Sequence, residues 1–357
     1  MVKALVLAGG RGTRLRPFTH TAAKQLVPVA NRPILFYVLD NLAGAGIREV
    51  GVVVSPETHK AVRGAVGDGS RWGFKSMEYL LQEDPLGLAH AVKVARPFLG
   101  ESSFVMYLGD NLIGSGILEF SKTFKGAKAD AMILLKQVEN PSSFGIVEID
   151  GEGRVIRLVE KPKHPKSNLA LVGIYFFSPR IHRAIEDIRP SRRGELEITD
   201  AIQRLFKSGG TVTSHILEQW WIDMGKKDDL LTANSIVLDQ WIGRKLDGTL
   251  DKESQVIGRV TLGKNSIIHR STVRGPVVIG ENVLIEDSFI GPFTSIGRDN
   301  RITHSVIEHS VILESASIEN IDRLEDSLVG NGSRIFKDRS SRHGYRLSVG
   351  DDSVVEL

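Results

Sequence analysis

Up to about residue 240 the chain alternates short apolar runs with stretches of helical period. Candidate strands lie at residues 4–7, 50–54, 104–108, 131–135 and 171–177. Helical patterns lie near residues 33–45, 88–95, 117–123 and 198–207. This alternation predicts an α/β domain, a mainly parallel sheet with helices on both faces. Ligands of such sheets gather at the carboxyl ends of the strands.

From about residue 250 the texture changes. An aliphatic residue followed by glycine recurs at Ile257 and Gly258, Leu262 and Gly263, Ile279 and Gly280, Ile290 and Gly291, Ile296 and Gly297, and Val329 and Gly330. Apolar positions step by six through Ile267, Val273, Ile279 and Ile285. A second row runs Leu284, Ile290, Ile296 and Ile302, and a third runs Ile312, Ile318 and Leu324. A hexapeptide period predicts a parallel β-helix with its small aliphatic residues inside. The shifts of phase between rows read as inserted turn residues. A β-sandwich would not give Ile-Gly pairs with so few aromatic residues. The division expected is a domain at 1–240, a helical linker at 229–246, the coil at 250–335 and a tail at 336–357.

Composition narrows the function classes. A chain of 357 residues is expected to hold two or three domains. No run of 18 apolar residues occurs, so no membrane span and no membrane partner are expected. The N-terminus enters a strand pattern without a basic and then apolar leader, which fits a cytoplasmic protein. With no Cys there is no disulfide framework, thiolate zinc site or cysteine nucleophile. The 46 basic and 43 acidic residues nearly cancel, which argues against a nucleic-acid partner. The densest basic stretch, Arg334, Lys337, Arg339, Arg342, His343 and Arg346, reads as a solvated face. No Ser-His-Asp set is visible in the sequence, so side-chain nucleophilic catalysis is not indicated.

The chemistry is concentrated near the start. The apolar run Lys3 to Leu7 enters Ala8, Gly9, Gly10, Arg11, Gly12, Thr13 and Arg14. A strand running into a glycine cluster lets successive backbone N–H groups point at phosphate. It is no dinucleotide fingerprint, because Leu15 stands where a third glycine is needed, and no Gly-Lys-Ser/Thr follows to make a P-loop. The Thr13 hydroxyl and the charges of Arg14 and Lys24 suit a nucleoside triphosphate.

Leu-Ala-Gly-Gly-x-Gly-Thr-Arg-Leu-x-Pro at 7–17, followed by Lys-Gln-Leu-x-Pro-Val at 24–29, resembles the nucleotide-binding signature of the sugar-nucleotidyltransferases. Over its whole length the chain is similar to the long thymidylyltransferase branch of that family, which carries a repeat tail. The resemblance implies a Rossmann-like mainly parallel sheet plus a C-terminal left-handed parallel β-helix, in a homo-oligomer. It implies that dTTP and α-D-glucose 1-phosphate give dTDP-glucose and pyrophosphate. Another sugar 1-phosphate remains open as acceptor, and UTP as donor, because one missing methyl discriminates by only ~1–3 kcal/mol.

The resemblance also implies roles for particular residues. Gly9, Gly10, Gly12 and Thr13 would cradle the phosphates. Arg14 would stabilise the leaving pyrophosphate, and Lys24 would neutralise the site. Gln25, Gln82 and Gly87 would face the nucleoside, a Gln amide matching the imide edge of thymine or uracil. Asp110 and Asp223 would hold one Mg²⁺, which takes oxygen ligands and shares phosphate. Asn111, the Gly145 backbone, Glu160 and Val172 would contact the sugar phosphate, and Lys161 would hold its phosphate. Ser143 and Phe144 depart from the Tyr or Arg-Tyr of many relatives. The segment 194–200 reads as structural, with Thr199 or Asp200 capping a helix.

Two other classes stay open. The coil could be a second, acyl-transferring enzyme using His269, His304 or His309, or the chain could be a non-catalytic regulatory subunit. Retention of Arg14, Asp110, Lys161 and Asp223 argues against the latter. The coil is expected to serve packing, so its removal should alter stability and assembly more than turnover.

Overall fold

Alternate residues of the first strand, Lys3–Leu7, enter two different cores. Ala4 and Val6 join one apolar cluster, and Leu5 and Leu7 join another. Side chains alternate across a strand, so this sheet is buried on both faces. That is the arrangement expected from the sequence. The computed structural model describes residues 2–10, 12–20, 23–337 and 349–356. Arg339, Arg342, His343, Arg346 and most of the expected tail lie outside the described residues.

The described residues fall into two units. The first comprises Met1–Arg11, Ala22–Leu26 and Ile34–Asp223. Its sheet is built from β1 (Lys3–Leu7), β2 (Glu49–Val54), β3 (Ser76–Leu81), β4 (Phe104–Leu108) and β5 (Ala131–Gln137). It is completed by β6 (Gly145–Ile149), β7 (Val155–Glu160), β8 (Leu169–Phe177) and β9 (Val212–Ile216). The order is β7-β6-β8-β4-β1-β2-β3, with β5 beside β8 and β9 beside β5. From β4 through β3 all pairings are parallel. Strand β8 runs antiparallel to β4, β5 and β6. Its direction has a consequence for the site: the start of β8 lies at the edge where the parallel strands end. Helices Ile34–Gly44 and Pro56–Val66 cover one face, and helices Arg180–Glu186 and Ile198–Lys207 cover the other.

One buried group ties this fold to pH. His182 is 5% exposed, stacks on Phe104 with centroids 5.8 Å apart, and its Nε2 meets no hydrogen-bond partner among the described residues. Burial, helped by the Arg96 charge, pushes its pKa down to about 4. The folded value lies below the unfolded one, so the contribution is present above roughly pH 6.5 and is lost as pH falls towards 4. The loss reaches at most about 3 kcal/mol. His182→Phe should flatten the fall in denaturant stability between pH 6.5 and 4. An unchanged slope in that window would refute the assignment.

The second unit comprises Gly12–Thr21, Val27–Pro33 and Met224–Leu357. Its coil carries three parallel sheets, of six, six and four strands, the architecture of a left-handed parallel β-helix. The residues that point inwards are Ile268, Val273, Ile279, Ile285, Ile290, Ile296, Ile302 and Ile307, none more than 1% exposed. Their spacing runs five, six, six, so most strand partners lie 17 residues apart, as Val260 with Val277 and Leu284 with Arg301. The phase shifts are therefore one residue missing per turn of coil, not inserted turn residues. Ile267, expected inside, is 47% exposed, and Ile268 takes its place. Serines bridge successive turns: Ser288 and Ser305 donate backbone N–H to Ser271 Oγ and Ser288 Oγ, each at 3.0 Å. Glycines stack where turns touch, and a Cβ on Gly263 would lie 2.4 Å from Gly280 O.

Candidate active site

The ends of β1 and β4 lie side by side, because Gly109 N donates to Leu7 O at 2.9 Å. A Cβ on Gly109 would sit 2.8 Å from that oxygen, so only glycine fits. Strand β1 delivers Gly9 and Gly10, and β4 delivers Asp110. A Cβ on Gly9 would lie 3.3 Å from Ser55 N, and one on Gly10 3.2 Å from Gln25 Nε2. Gln25 is 2% exposed and its Oε1 meets no partner among the described residues. Such an orphaned buried acceptor asks for a donor that a ligand can bring. Lys24, 8% exposed, puts its Nζ 2.5 Å from Asp110 Oδ2. That pairing joins two residues the sequence could only place separately.

Asp223 reaches the same place through a short antiparallel pair. Asn111–Ile113 pairs with Trp221–Asp223, and Asp223 lies opposite Asn111. Asn111 is 1% exposed. Its Nδ2 donates to Asp110 Oδ1 at 2.9 Å and reaches Asp223 Oδ1 at 3.5 Å, while Trp221 Nε1 donates to its Oδ1 at 2.6 Å. One amide nitrogen thus spans both carboxylates. Among the described residues no group of three or more His, Cys, Asp and Glu is arranged so that it could hold a metal ion by itself. Two carboxylates leave most of an octahedral shell to phosphate and water, the usual situation of Mg²⁺. The donor set fits a divalent cation shared with a phosphate.

The second constellation forms around Glu160, the last residue of β7. Its Oε2 accepts from Thr199 Oγ1 at 2.6 Å, and its Oε1 lies 3.4 Å from Arg193 Nη1. Thr199 was expected to cap its helix, as was Asp200. The helix Ile198–Lys207 has Glu197 at its N-cap and no side-chain cap, because the Thr199 hydroxyl is used on Glu160. Burial raises the pKa of Asp200, and the Glu160 charge adds to it. Gly145 stands against these groups: a Cβ there would lie 2.9 Å from Thr199 Oγ1 and 3.0 Å from Glu160 Oε2. Strand β8 breaks register between Leu171 and Tyr175. Gly173, at φ +81, there approaches Asn111 Oδ1 to 3.1 Å of where its Cβ would be. Val172 is buried beside it. Lys161 follows β7, exposed, with φ 37. A lysine held in the left-handed region is a strained position of the kind found at functional sites.

On the opposite side, Gln82 follows β3 and donates its backbone N–H to Val54 O at 2.9 Å. Gly87 adopts φ +102, and a Cβ there would meet Leu196 O at 2.5 Å. Leu196 N donates to Leu86 O at 2.7 Å, and Ala89 N donates to Leu196 O at 3.0 Å. The segment carrying Thr199 therefore also braces the Gln82–Gly87 loop, a link absent from the sequence patterns. In the second unit Gly12, at φ 64, precedes the turn Thr13–Leu15, and Thr19 Oγ1 donates to Gly12 O at 2.6 Å. Thr13 and Arg14 are exposed.

Residues 3–240 match the family model described as nucleotidyl transferase. The chain is 49% identical over 357 residues to a glucose-1-phosphate thymidylyltransferase of Streptomyces antibioticus, covering 100% of this chain and 99% of that one. It is 47% identical over 356 residues to a protein of the same name from Streptomyces griseus, with the same coverage. A crystal structure of a Bacillus anthracis protein provisionally named glucose-1-phosphate thymidylyltransferase, in complex with sucrose, superposes with a TM-score of 0.64. That alignment is 33% identical and covers 68% of this chain and 98% of the other. The chain belongs to the nucleotidyltransferase family. Enzymes of this family generally use a divalent metal.

This nucleotidyltransferase also contains a constellation that its sequence did not suggest. Ser235 Oγ lies 2.9 Å from His309 Nε2, and His309 Nδ1 contacts Asp326 Oδ1. These three side chains meet in space although no Ser-His-Asp pattern is visible in the sequence. Yet Ser235 Oγ also donates to Leu231 O at 2.9 Å. The Ser235 hydroxyl proton is thus spent on a backbone carbonyl, and the trio is not an activated nucleophile. The trio ties the helix Lys227–Trp241 to the coil. His309 and Asp326 stand one turn of coil apart, and that pitch was the signal that could have paired them. His304 and His309 occupy corners of the coil at φ 47 and 42. No helix is long and apolar enough to cross a membrane among the described residues.

Proposed function

We propose that the protein transfers the thymidylyl group of dTTP to α-D-glucose 1-phosphate, giving dTDP-glucose and pyrophosphate. The observation that carries this reading is full-length identity of 49% and 47% to two glucose-1-phosphate thymidylyltransferases. An oxygen of the sugar phosphate attacks the α-phosphorus of dTTP. The new P–O bond forms as the bond to the β-phosphate oxygen breaks, and pyrophosphate leaves with that electron pair. The nucleophile is already an anion at neutral pH, so no general base is needed. The protein's task is to hold two polyanions in line and stabilise the charge that moves between them.

The residues divide this work. Gly9, Gly10, Gly12 and Thr13 cradle the triphosphate, and Arg14 stabilises the pyrophosphate as its charge grows. Lys24 offsets charge beside Asp110. Gln25, Gln82 and Gly87 face the nucleoside, the orphaned Gln25 Oε1 being suited to a ligand donor. Gly145, Val172 and Glu160 face the glucose hydroxyls, and Lys161 holds the sugar phosphate. Asp110 and Asp223 would hold the cation, which we take to be Mg²⁺, and it supplies neutralisation of phosphate oxygens. Asn111, which the resemblance places at the sugar phosphate, we assign to orienting these two carboxylates. Assembly as a homo-oligomer and a cytoplasmic setting belong to the same proposal.

The decisive experiment is a panel of nucleotides and sugar 1-phosphates scored by pyrophosphate release. Turnover with dTTP and glucose 1-phosphate, ahead of all purine triphosphates, is the expected result. Equal use of ATP or GTP would overturn the base assignment. Lys161→Ala should raise the KM for glucose 1-phosphate about tenfold or more, the value of a charge-assisted contact, with a smaller effect on the KM for dTTP. A variant impaired only in nucleotide binding would show that Lys161 serves the other substrate.

A further inference from the structure

Gln82 is tied to its own loop on both protons of its side-chain nitrogen. Nε2 lies 3.2 Å from Gly87 O and 2.9 Å from His90 Nδ1. A backbone carbonyl only accepts, so the nitrogen of the amide, not its oxygen, must face Gly87. The second amide proton then points at His90 Nδ1, which must present a lone pair. Such a ring carries its proton on Nε2. Both N–H groups of Gln82 are thereby fixed, and Oε1 is left on the other side of the amide. His90 stands on the first turn of the helix Leu88–Val94 and is half-buried. Burial, with Lys93 on the same helix, lowers its pKa, and Asp84 in the preceding loop opposes that shift. The ring is thus neutral near pH 7, as an accepting Nδ1 requires.

We propose that His90 is a positioning residue for base selection, fixing the Gln82 amide so that Oε1 is presented as a hydrogen-bond acceptor. This rests on the reading of Gln82 as the residue that faces the base. A fixed acceptor matches a pyrimidine that carries N3–H, such as thymine or uracil. It opposes cytosine, whose N3 brings a lone pair against the same oxygen. A free amide could turn over and serve either edge, so the discrimination comes from His90 holding one orientation.

The test is steady-state kinetics with dTTP and dCTP on wild type, His90→Leu, His90→Asn and Gln82→Ala. His90→Leu should raise the KM for dTTP and narrow the preference for dTTP over dCTP, each by about tenfold, the scale of one hydrogen bond. The kcat at saturating dTTP and the KM for glucose 1-phosphate should stay within roughly twofold. His90→Asn keeps an acceptor oxygen at the δ position and should restore most of the preference, whereas a packing role would be better served by Leu. If Gln82→Ala destroys the preference and His90→Leu leaves it intact, the role of His90 is overturned while Gln82 keeps its own. If Gln82→Ala itself leaves the preference intact, the base-facing role of Gln82 falls, and that of His90 with it.

Discussion

Asp110→Asn and Asp223→Asn should each lower turnover by roughly a thousandfold, and excess chelator should do the same to the wild type. Both carboxylates lie within reach of Asn111 Nδ2, so they address one place although 113 positions separate them in the chain. Replacing one carboxylate by an amide keeps its shape and removes the charge that holds a divalent cation against two polyanions. The two variants should part company in stability. Asp110 is the partner of Lys24, which is 8% exposed, so Asp110→Asn leaves a buried ammonium without its counter-charge. That loss costs about 1–3 kcal/mol and should appear as a lower thermal midpoint. Asp223 meets the Asn111 amide at the longer distance of 3.5 Å, and its replacement should move the midpoint less. Wild-type turnover in excess EDTA would sink the metal assignment. Equal losses of stability in the two variants would instead show that the Lys24 pair is unimportant to the fold.

The parts of this site that were legible in the sequence are those set by local chain geometry. Glycines after an apolar run, and acids after two others, mark strand ends whatever the tertiary arrangement. The alternation of Ala4, Leu5, Val6 and Leu7 between two cores follows from an uninterrupted apolar run with helical patterns on either side. What could not be read was set by pairing across long separations. The antiparallel course of β8 leaves no mark in a strand buried throughout, and with it went the approach of Gly173 to Asn111. Thr199 looked like a capping residue because capping is what threonine does near a helix start. Its hydroxyl instead meets Glu160, 39 positions away. In the coil a six-residue period was visible, but a five-residue step at one corner in each turn is invisible to a search for sixes. That single missing residue turned Ile267 outwards and brought Ile268 in.

Removing the coil should cost turnover as well as stability, contrary to what the repeat pattern alone suggests. The hairpin of Pro28–Val29 and Arg32–Pro33 turns through Ala30 and Asn31, both at positive φ. Ala30 N donates to Asn234 Oδ1 at 3.0 Å, and Asn234 Nδ2 donates to Phe293 O at 3.0 Å. Asn31 Nδ2 donates to Ile296 O at 2.6 Å. His20 Nε2 lies 3.3 Å from Asp352 Oδ2. Residues Gly12–Thr21, which include Thr13 and Arg14, pack with the same unit. Truncation after Gly243 takes away Phe293, Ile296 and Asp352 together. The segment that carries Arg14 then loses its support, and misplacement of a phosphate contact by about 1 Å can cost on the order of a hundredfold. We expect kcat to fall at least roughly tenfold on that scale. Asn234→Ala isolates the anchor with the coil still present. Asn234 is fully buried, and its loss strands Ala30 N and Phe293 O without partners. That should cost about 2–4 kcal/mol and lower the thermal midpoint by roughly 4–8 °C or more, with a partial loss of kcat. If the truncated protein keeps wild-type kcat at a temperature where it is folded, the coil is a packing element and nothing more.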